Sequence, residues 1–244
     1  SGFQNQRIYL VPITKENELD LVLEVVNKAY GYDFKNYAKS SLRRRFNIVL
    51  EQSGLTHYSE LIPKIIHDET FINKILNKMS IPVTEMFRDP SFFKHFRKTM
   101  VPYLKTFPFI KIWHAGCATG EEVYSMAILL EEEGLLDRSH IFGTDYNKQA
   151  LAIASEGIYK TNQIEKYASN YIESGGTYSI EKYFLNKYGL SKITTSLTKN
   201  ISFHHHNLIS DGVFSEFNLI LCRNVLIYFD IDLQNRALSL FSDS

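Results

Sequence analysis

Apolar positions over the first 105 residues recur with the period of a helix. Leu19, Val22, Leu23, Val26 and Tyr30 form one such set, followed by Leu42, Phe46 and Val49, by Leu61, Ile65 and Ile66, and by Phe71, Ile75 and Met79. Each set lines one face of a cylinder, so four amphipathic helices are predicted. No strand-like alternation interrupts them, which defines an all-helical N-terminal domain over residues 1–105. Within the second set Arg43, Arg44 and Arg45 lie between Leu42 and Phe46, and they are expected to fan over the outward face.

At Pro108 the texture changes. A short apolar run at 109–114 leads into a glycine-bearing turn, and a helical stretch at 123–130 ends at three glutamates and Gly134. A second run at 140–145 ends in Asp145 and is followed by a helix at 148–155. Two successive strand-helix units imply a parallel sheet with right-handed crossovers. Residues 201–204 and 217–222 read as two further strands. The tyrosine-rich stretch between them and the second helix, broken by Gly175 and Gly176, contains a candidate hairpin at 192–198. The expected architecture over residues 106–244 is α/β.

Composition narrows the class. The 244 residues carry 27 basic and 27 acidic side chains, 44% hydrophobic and 14% aromatic residues, which excludes a disordered, collagenous or repeat protein. Zero net charge argues against a nucleic-acid footprint, but residues 1–107 hold 16 basic and 11 acidic groups and the remainder the reverse. A basic accessory module therefore precedes an acidic main domain, and an acidic partner would suit it. Two cysteines, Cys117 and Cys222, make no disulfide framework. With neither a long apolar run nor a leader pattern, the expected location is cytoplasmic, without membrane insertion.

The chemistry concentrates at the turn from Ala115 to Glu122. It follows a strand and opens a helix, so its glycines permit close ligand approach and the helix amides supply donors. It lacks the dinucleotide pattern G-x-G-x-x-G, and Glu121 with Glu122 would repel a pyrophosphate while suiting a cationic amine or sulfonium. Asp145, 29 residues after Gly116, is placed to accept both hydroxyls of a ribose. A nucleoside bearing a sulfonium, S-adenosylmethionine, satisfies turn and acid together. His204, His205 and His206 do not make a metal site, since alternate strand residues face opposite ways.

The segments Ile81-Pro-Val-Thr-Glu-Met-Phe-Arg88, Trp113-His-Ala-Gly-Cys-Ala-Thr-Gly-Glu-Glu-Val-Tyr-Ser125, Phe142-Gly-Thr-Asp145, Gly157-Ile-Tyr159, His206-Asn-Leu208 and Leu221-Cys-Arg-Asn-Val-Leu-Ile-Tyr-Phe229 occur in one order across nearly the whole chain. Together they resemble the CheR family of chemotaxis receptor methyltransferases. The resemblance implies a Rossmann-like S-adenosylmethionine-dependent domain over residues 106–244 behind a helical one, with a small β subdomain inserted around 165–200, and transfer of a methyl group to receptor glutamates. By matched position it implies cofactor contacts from Thr84, Arg88, Gly116, Glu121, Asp145, Asn207, Leu208, Arg223 and Asn224. Arg88 and Tyr228 would lie closest to the chemistry, and Arg43, Arg44 and Arg45 would face the cytoplasmic helices of a chemoreceptor. Pro82 stands where the family often has an asparagine, and so supplies no side-chain hydrogen bond there. The family continues into final strands beyond the helix seeded by Leu233, Ala237 and Leu240, so those strands are expected to be missing here. Two alternatives share these residues: a methyltransferase for another substrate, and a scaffold that senses the cofactor without turnover.

Overall fold

The computed structural model describes residues 14–30, 34, 37–79, 84–229 and 231–244. The chain divides into two compact units, Ser1–Met79 and Ser80–Ser244.

The first unit contains α1 (Lys15–Tyr30), α2 (Lys39–Ser53), α3 (Leu61–His67) and α4 (Glu69–Met79). Its core takes Leu19, Val22, Leu23 and Val26 from α1 and Leu42, Phe46 and Val49 from α2, with Leu61, Ile65, Phe71 and Ile75 opposite. The helical period also marks Ile66, which is 53% exposed, Tyr30, which is half-buried, and Met79, whose side chain lies outside the described residues. Helix α2 stops at Gly54, whose φ of 66° favours a residue without a Cβ, and whose N–H closes the last turn on Glu51. The three arginines do not share one face. Arg45 is 3% exposed, because Leu42, Arg45, Phe46 and Val49 stand three and four residues apart on the buried side of α2. Arg43 and Arg44 are exposed.

The second unit opens with α5 (Pro90–Leu104) and continues through β1 (Ile110–Ala115), α6 (Glu121–Glu132), β2 (Ser139–Asp145), α7 (Lys148–Glu156), β3 (Ile158–Lys160), α8 (Thr161–Glu173), β4 (Phe184–Lys187), β5 (Leu190–Ile193), α9 (Thr195–Thr198), β6 (Ile201–His205), β7 (Leu219–Leu221) and α10 (Ile231–Ser242). Strands β6, β2, β1 and β7 form, in that spatial order, an all-parallel sheet. The compact unit begins well before Lys105, the boundary expected from sequence. The reason is the apolar face of α5, where Phe93, Phe96, Val101 and Leu104 share one core with Ile110, Ile112 and the buried length of α6.

The insertion is a three-stranded antiparallel sheet, ordered β3, β5, β4, and it differs from the sequence expectation in two ways. Much of the tyrosine-rich stretch is helical, since Ile164, Tyr167 and Tyr171 of α8 line one buried face. The hairpin joins β4 to β5, upstream of 192–198, through Tyr188 (φ 51°) and Gly189 (φ 75°). Positive φ at both central residues of a two-residue loop matches the right-handed twist of the flanking strands.

A buried carboxylate fastens this insertion to the large domain, beside the apolar core that the two share. Glu132, at the end of α6, accepts hydrogen bonds from the Tyr171 and Tyr183 hydroxyls and from Thr177, while its other oxygen meets Arg97 of α5. Its side chain is 3% exposed. Burial alone would raise the carboxyl pKa, but the bonds from Tyr171 and Arg97 outweigh it and hold the group below the usual carboxylate value. A group depressed in this way contributes stability at neutral pH that is lost as pH falls through its folded pKa. Glu132→Ala leaves the Arg97 charge buried without its main partner, and should cost about 3 to 5 kcal/mol. A thermal melt at pH 7 checks this, and the gap between variant and parent should narrow below pH 4.5.

Candidate functional site

The turn between β1 and α6 is built by the backbone of β2. The carbonyl of Thr144 accepts both the Gly116 and the Cys117 N–H, each at 2.8 Å. Asp145 then accepts the Ala118 N–H on Oδ2 and the Asn147 N–H on Oδ1, both at 2.9 Å. Gly116 has a φ of 77°, and a Cβ there would lie 2.4 Å from Val225 Cγ2, so the position admits only glycine. Gly120 (φ 92°) starts α6, where a Cβ would meet Ala154 at 2.9 Å. Asp145 does not cap α7. Asn147 does, accepting from the N–H groups of Gln149 and Ala150. The Tyr146 N–H also bonds the Asp145 carboxylate, so three of its roughly four acceptor positions are engaged within the fold and about one is left for a ligand hydroxyl. Burial pushes the Asp145 carboxyl pKa up.

The two glutamates that open α6 have separate environments. Glu122 accepts from Arg223 Nη1 at 2.9 Å and lies 3.0 Å from His114 Nδ1. Despite burial, His114 and Arg223 hold its carboxyl below the usual range. Glu121 is 4% exposed and accepts a hydrogen bond from Thr119 Oγ1 at 2.6 Å and one from its own N–H. Burial pushes its pKa up to about 7. The pair of acids therefore does not act as one anionic patch: Glu122 is neutralised inside the fold, and Glu121 lacks a cationic partner among the described residues. Tyr159 closes the turn from outside by donating to the Thr119 carbonyl at 2.7 Å.

Four of the other sequence-predicted residues follow strands at the same carboxyl edge of the parallel sheet. Asn207 and Leu208 follow β6, where Leu208 is 7% exposed and Asn207 Oδ1 accepts the Ile209 N–H. Arg223 and Asn224 follow β7, Asn224 with a φ of 59°. Thr84 is half-buried upstream of Arg88, and Arg88 sits between Phe87 and Asp89. Pro82 and the Tyr228 side chain lie outside the described residues. Arg43, Arg44 and Arg45 belong to the first unit. Sequence reasoning missed His114, Ser125 and Asp89. The first of these was visible only as a polar residue on an inner strand eight positions before Glu122. The Cys117 thiol is buried and the Cys222 thiol half-buried, and desolvation raises the pKa of both, Cys222 to about 12, which keeps them protonated and unreactive at neutral pH.

A parallel sheet with a glycine turn after its first strand and an acid at the end of its second defines a Rossmann-like nucleoside-binding domain. Residues 82–244 match the family described as CheR methyltransferase, SAM binding domain, and residues 17–80 match the CheR methyltransferase all-alpha domain. The chain belongs to the CheR methyltransferase family, and its methyl donor is S-adenosylmethionine. It is 46% identical to Cher3 of Pseudomonas putida over 93% of this chain and 83% of that protein. It is 29% identical to a chemotaxis protein methyltransferase of Listeria innocua, over 90% of this chain and 82% of that one. The corresponding Escherichia coli protein is 25% identical over 90% of this chain and 77% of its own length. Among the described residues no helix is long and apolar enough to cross a membrane.

The Glu121 environment predicts a pH dependence. A carboxyl with a higher pKa folded than unfolded is held in its protonated form, so its contribution is complete below about pH 4.5 and is lost as pH rises through about 7. Glu121→Gln should stabilise the ligand-free protein at pH 8.5 by up to about 3 kcal/mol and leave it nearly unchanged at pH 4.5. Melting curves at the two pH values test this, and an equal shift at both would show that burial does not hold Glu121 protonated.

Proposed function

We propose that this enzyme methylates glutamate side chains on the cytoplasmic helices of a chemoreceptor. The observation that carries the reading is the carboxyl-edge cradle, with a buried carboxyl at Glu121 that lacks a cation among the described residues and a buried carboxyl at Asp145 that the backbone leaves only partly filled. Such a donor set fits an amino-acid nucleoside. Glu121 would receive its ammonium, Asp145 a ribose hydroxyl, Gly116 the close approach of its backbone-facing side, and Asn207 with Leu208 its adenine. Thr84, Arg88 and Asn224 complete the candidate contacts, with Arg88 suited to a carboxylate. When bound, the sulfonium supplies an electrophilic methyl group.

The chain's own residues then have a limited chemical task. A substrate glutamate with an ordinary pKa near 4.3 is already ionised at pH 7, so no general base is required. Rate enhancement comes from holding the carboxylate in line and from excluding water around it. Tyr228 is the candidate beside the transferring methyl, and Tyr228→Phe should lower kcat more than cofactor affinity. The relatives named as chemotaxis methyltransferases support a receptor as the substrate.

The test is transfer of radiolabelled methyl groups to a chemoreceptor cytoplasmic fragment, with release of the label as methanol by mild base as the mark of an ester. A stable label, or none with any receptor, would overturn the reading. Asp145→Ala should weaken S-adenosylhomocysteine binding by about 1.5 to 3 kcal/mol, the range for hydrogen bonds to a charged group. Titration calorimetry checks it, and unchanged affinity would remove Asp145 from the site.

Docking of an acidic receptor helix would fall to Arg43 and Arg44. Arg43 lies 3.3 Å from Glu16 Oε1 in an exposed pair, which is weak and easily exchanged. Replacing both arginines by glutamine should slow methylation at sub-saturating receptor and flatten its salt dependence, with cofactor affinity unchanged. An unchanged salt slope would exclude them from the docking surface.

A further inference from the structure

Arg88 lies in a strained turn. Phe87 and Asp89, on either side of it, have φ values of 53° and 57°, a region that side chains with a Cβ rarely adopt. Two such residues in three positions persist only when their surroundings force the conformation. On the Phe87 side, the backbone N–H donates to Ser125 Oγ at 2.9 Å, and that hydroxyl donates to the Glu121 carbonyl at 2.7 Å. The Phe87 ring is fully buried, with its centroid 5.2 Å from those of both Phe93 and Tyr171.

On the Asp89 side the restraint is Arg223. Its Nη2 donates to the Arg88 carbonyl at 3.2 Å and to Asp89 Oδ2 at 2.5 Å, and its Nη1 donates to Glu122 Oε2 at 2.9 Å. Its guanidinium lies 4.2 Å from the centre of the Phe92 ring, a cation-π contact that covers one face. Glu122 is held in turn by His114, which is 1% exposed on β1. Both terminal nitrogens and a face of the guanidinium are thus engaged by protein groups. The residue bridges the turn to α6 and, through Glu122, to the inner strand.

We propose that Arg223 is a positioning residue: it serves cofactor binding by fixing the turn that carries Arg88, with His114 and Glu122 as its support, and not by contact with the cofactor. The proposal rests on the reading of Arg88 as a cofactor ligand. Lysine cannot replace it, because a single ammonium cannot reach Glu122, Asp89 and the Arg88 carbonyl in the same fork geometry.

A double-mutant cycle tests this by calorimetric titration of S-adenosylhomocysteine into the parent, Arg88→Ala, Arg223→Ala and the double variant. Arg223→Ala should weaken binding about tenfold, and the double variant should bind no more weakly than Arg88→Ala alone, because the two act through one contact. Arg223→Lys, the milder variant should Arg223→Ala fail to fold, should show a similar loss. Glu122→Gln should weaken binding in the same direction. In steady-state assays the KM for S-adenosylmethionine should rise in Arg223→Lys while the KM for receptor stays unchanged.

Additive losses in the cycle would mean that Arg223 touches the cofactor directly, and would overturn the proposal. A lowered melting temperature with parental affinity would reduce Arg223 to a stabilising role, and would overturn it as well. Parental affinity in Arg88→Ala alone would mark failure of the underlying reading of Arg88, and Arg223 would then have nothing to position.

Discussion

The hydrogen bonds between the end of β2 and the turn after β1 are the constraint on which the site depends. Thr144 takes two amides on one carbonyl, and Asp145 takes a third on its carboxylate. These bonds oblige the chain after Ala115 to curl over the neighbouring strand before α6 can begin. The curl demands positive φ at Gly116, Ala118 and Gly120, and only after it are Glu121 and Glu122 pointed in different directions. Asp145 is therefore both a part of the scaffold and a candidate ligand. A single carboxylate can do both because backbone N–H groups occupy only part of its acceptor capacity.

Division of labour between adjacent acids follows from the helix. Successive residues on α6 are about 100° apart, so Glu121 and Glu122 cannot share surroundings. Glu122 falls on the side of the inner strand and finds His114 and Arg223. Glu121 falls on the side of Thr119, where burial without a cation leaves it half protonated near neutral pH. A buried carboxyl in that condition is a better receptor for a cationic group than one already neutralised, because desolvation has been met by the fold before the ligand arrives.

Much of this was legible in the chain. The four helical sets of the first unit, the strands expected at 109–114 and 140–145, and the glycine turn all follow from local pattern, because each signal lies within a few residues of the element that it specifies. Arg45 was misplaced because three consecutive charges suggested an exposed face, whereas its spacing from Leu42 and Val49 put it inside. The limit of the helical domain was misplaced for a related reason: α5 is helical like its predecessors, and only its packing against Ile110 and Ile112 assigns it to the second unit. The helix at 161–173 and the hairpin through Tyr188 were obscured by tyrosines, which suit either state. The Arg223 network was out of reach altogether, since it joins residues 134 positions apart in the chain.

The gathering of Tyr171, Tyr183, Thr177 and Arg97 around Glu132 has a consequence for local motion. The small antiparallel sheet has three short strands and little core of its own, so alone it would open readily to solvent. Bonded to the last turn of α6, it cannot open without exposing a buried ionised carboxylate that also holds α5. Amide hydrogens of β4 and β5 should accordingly exchange at rates set by the large parallel domain, and the two sheets should behave as one cooperative unit.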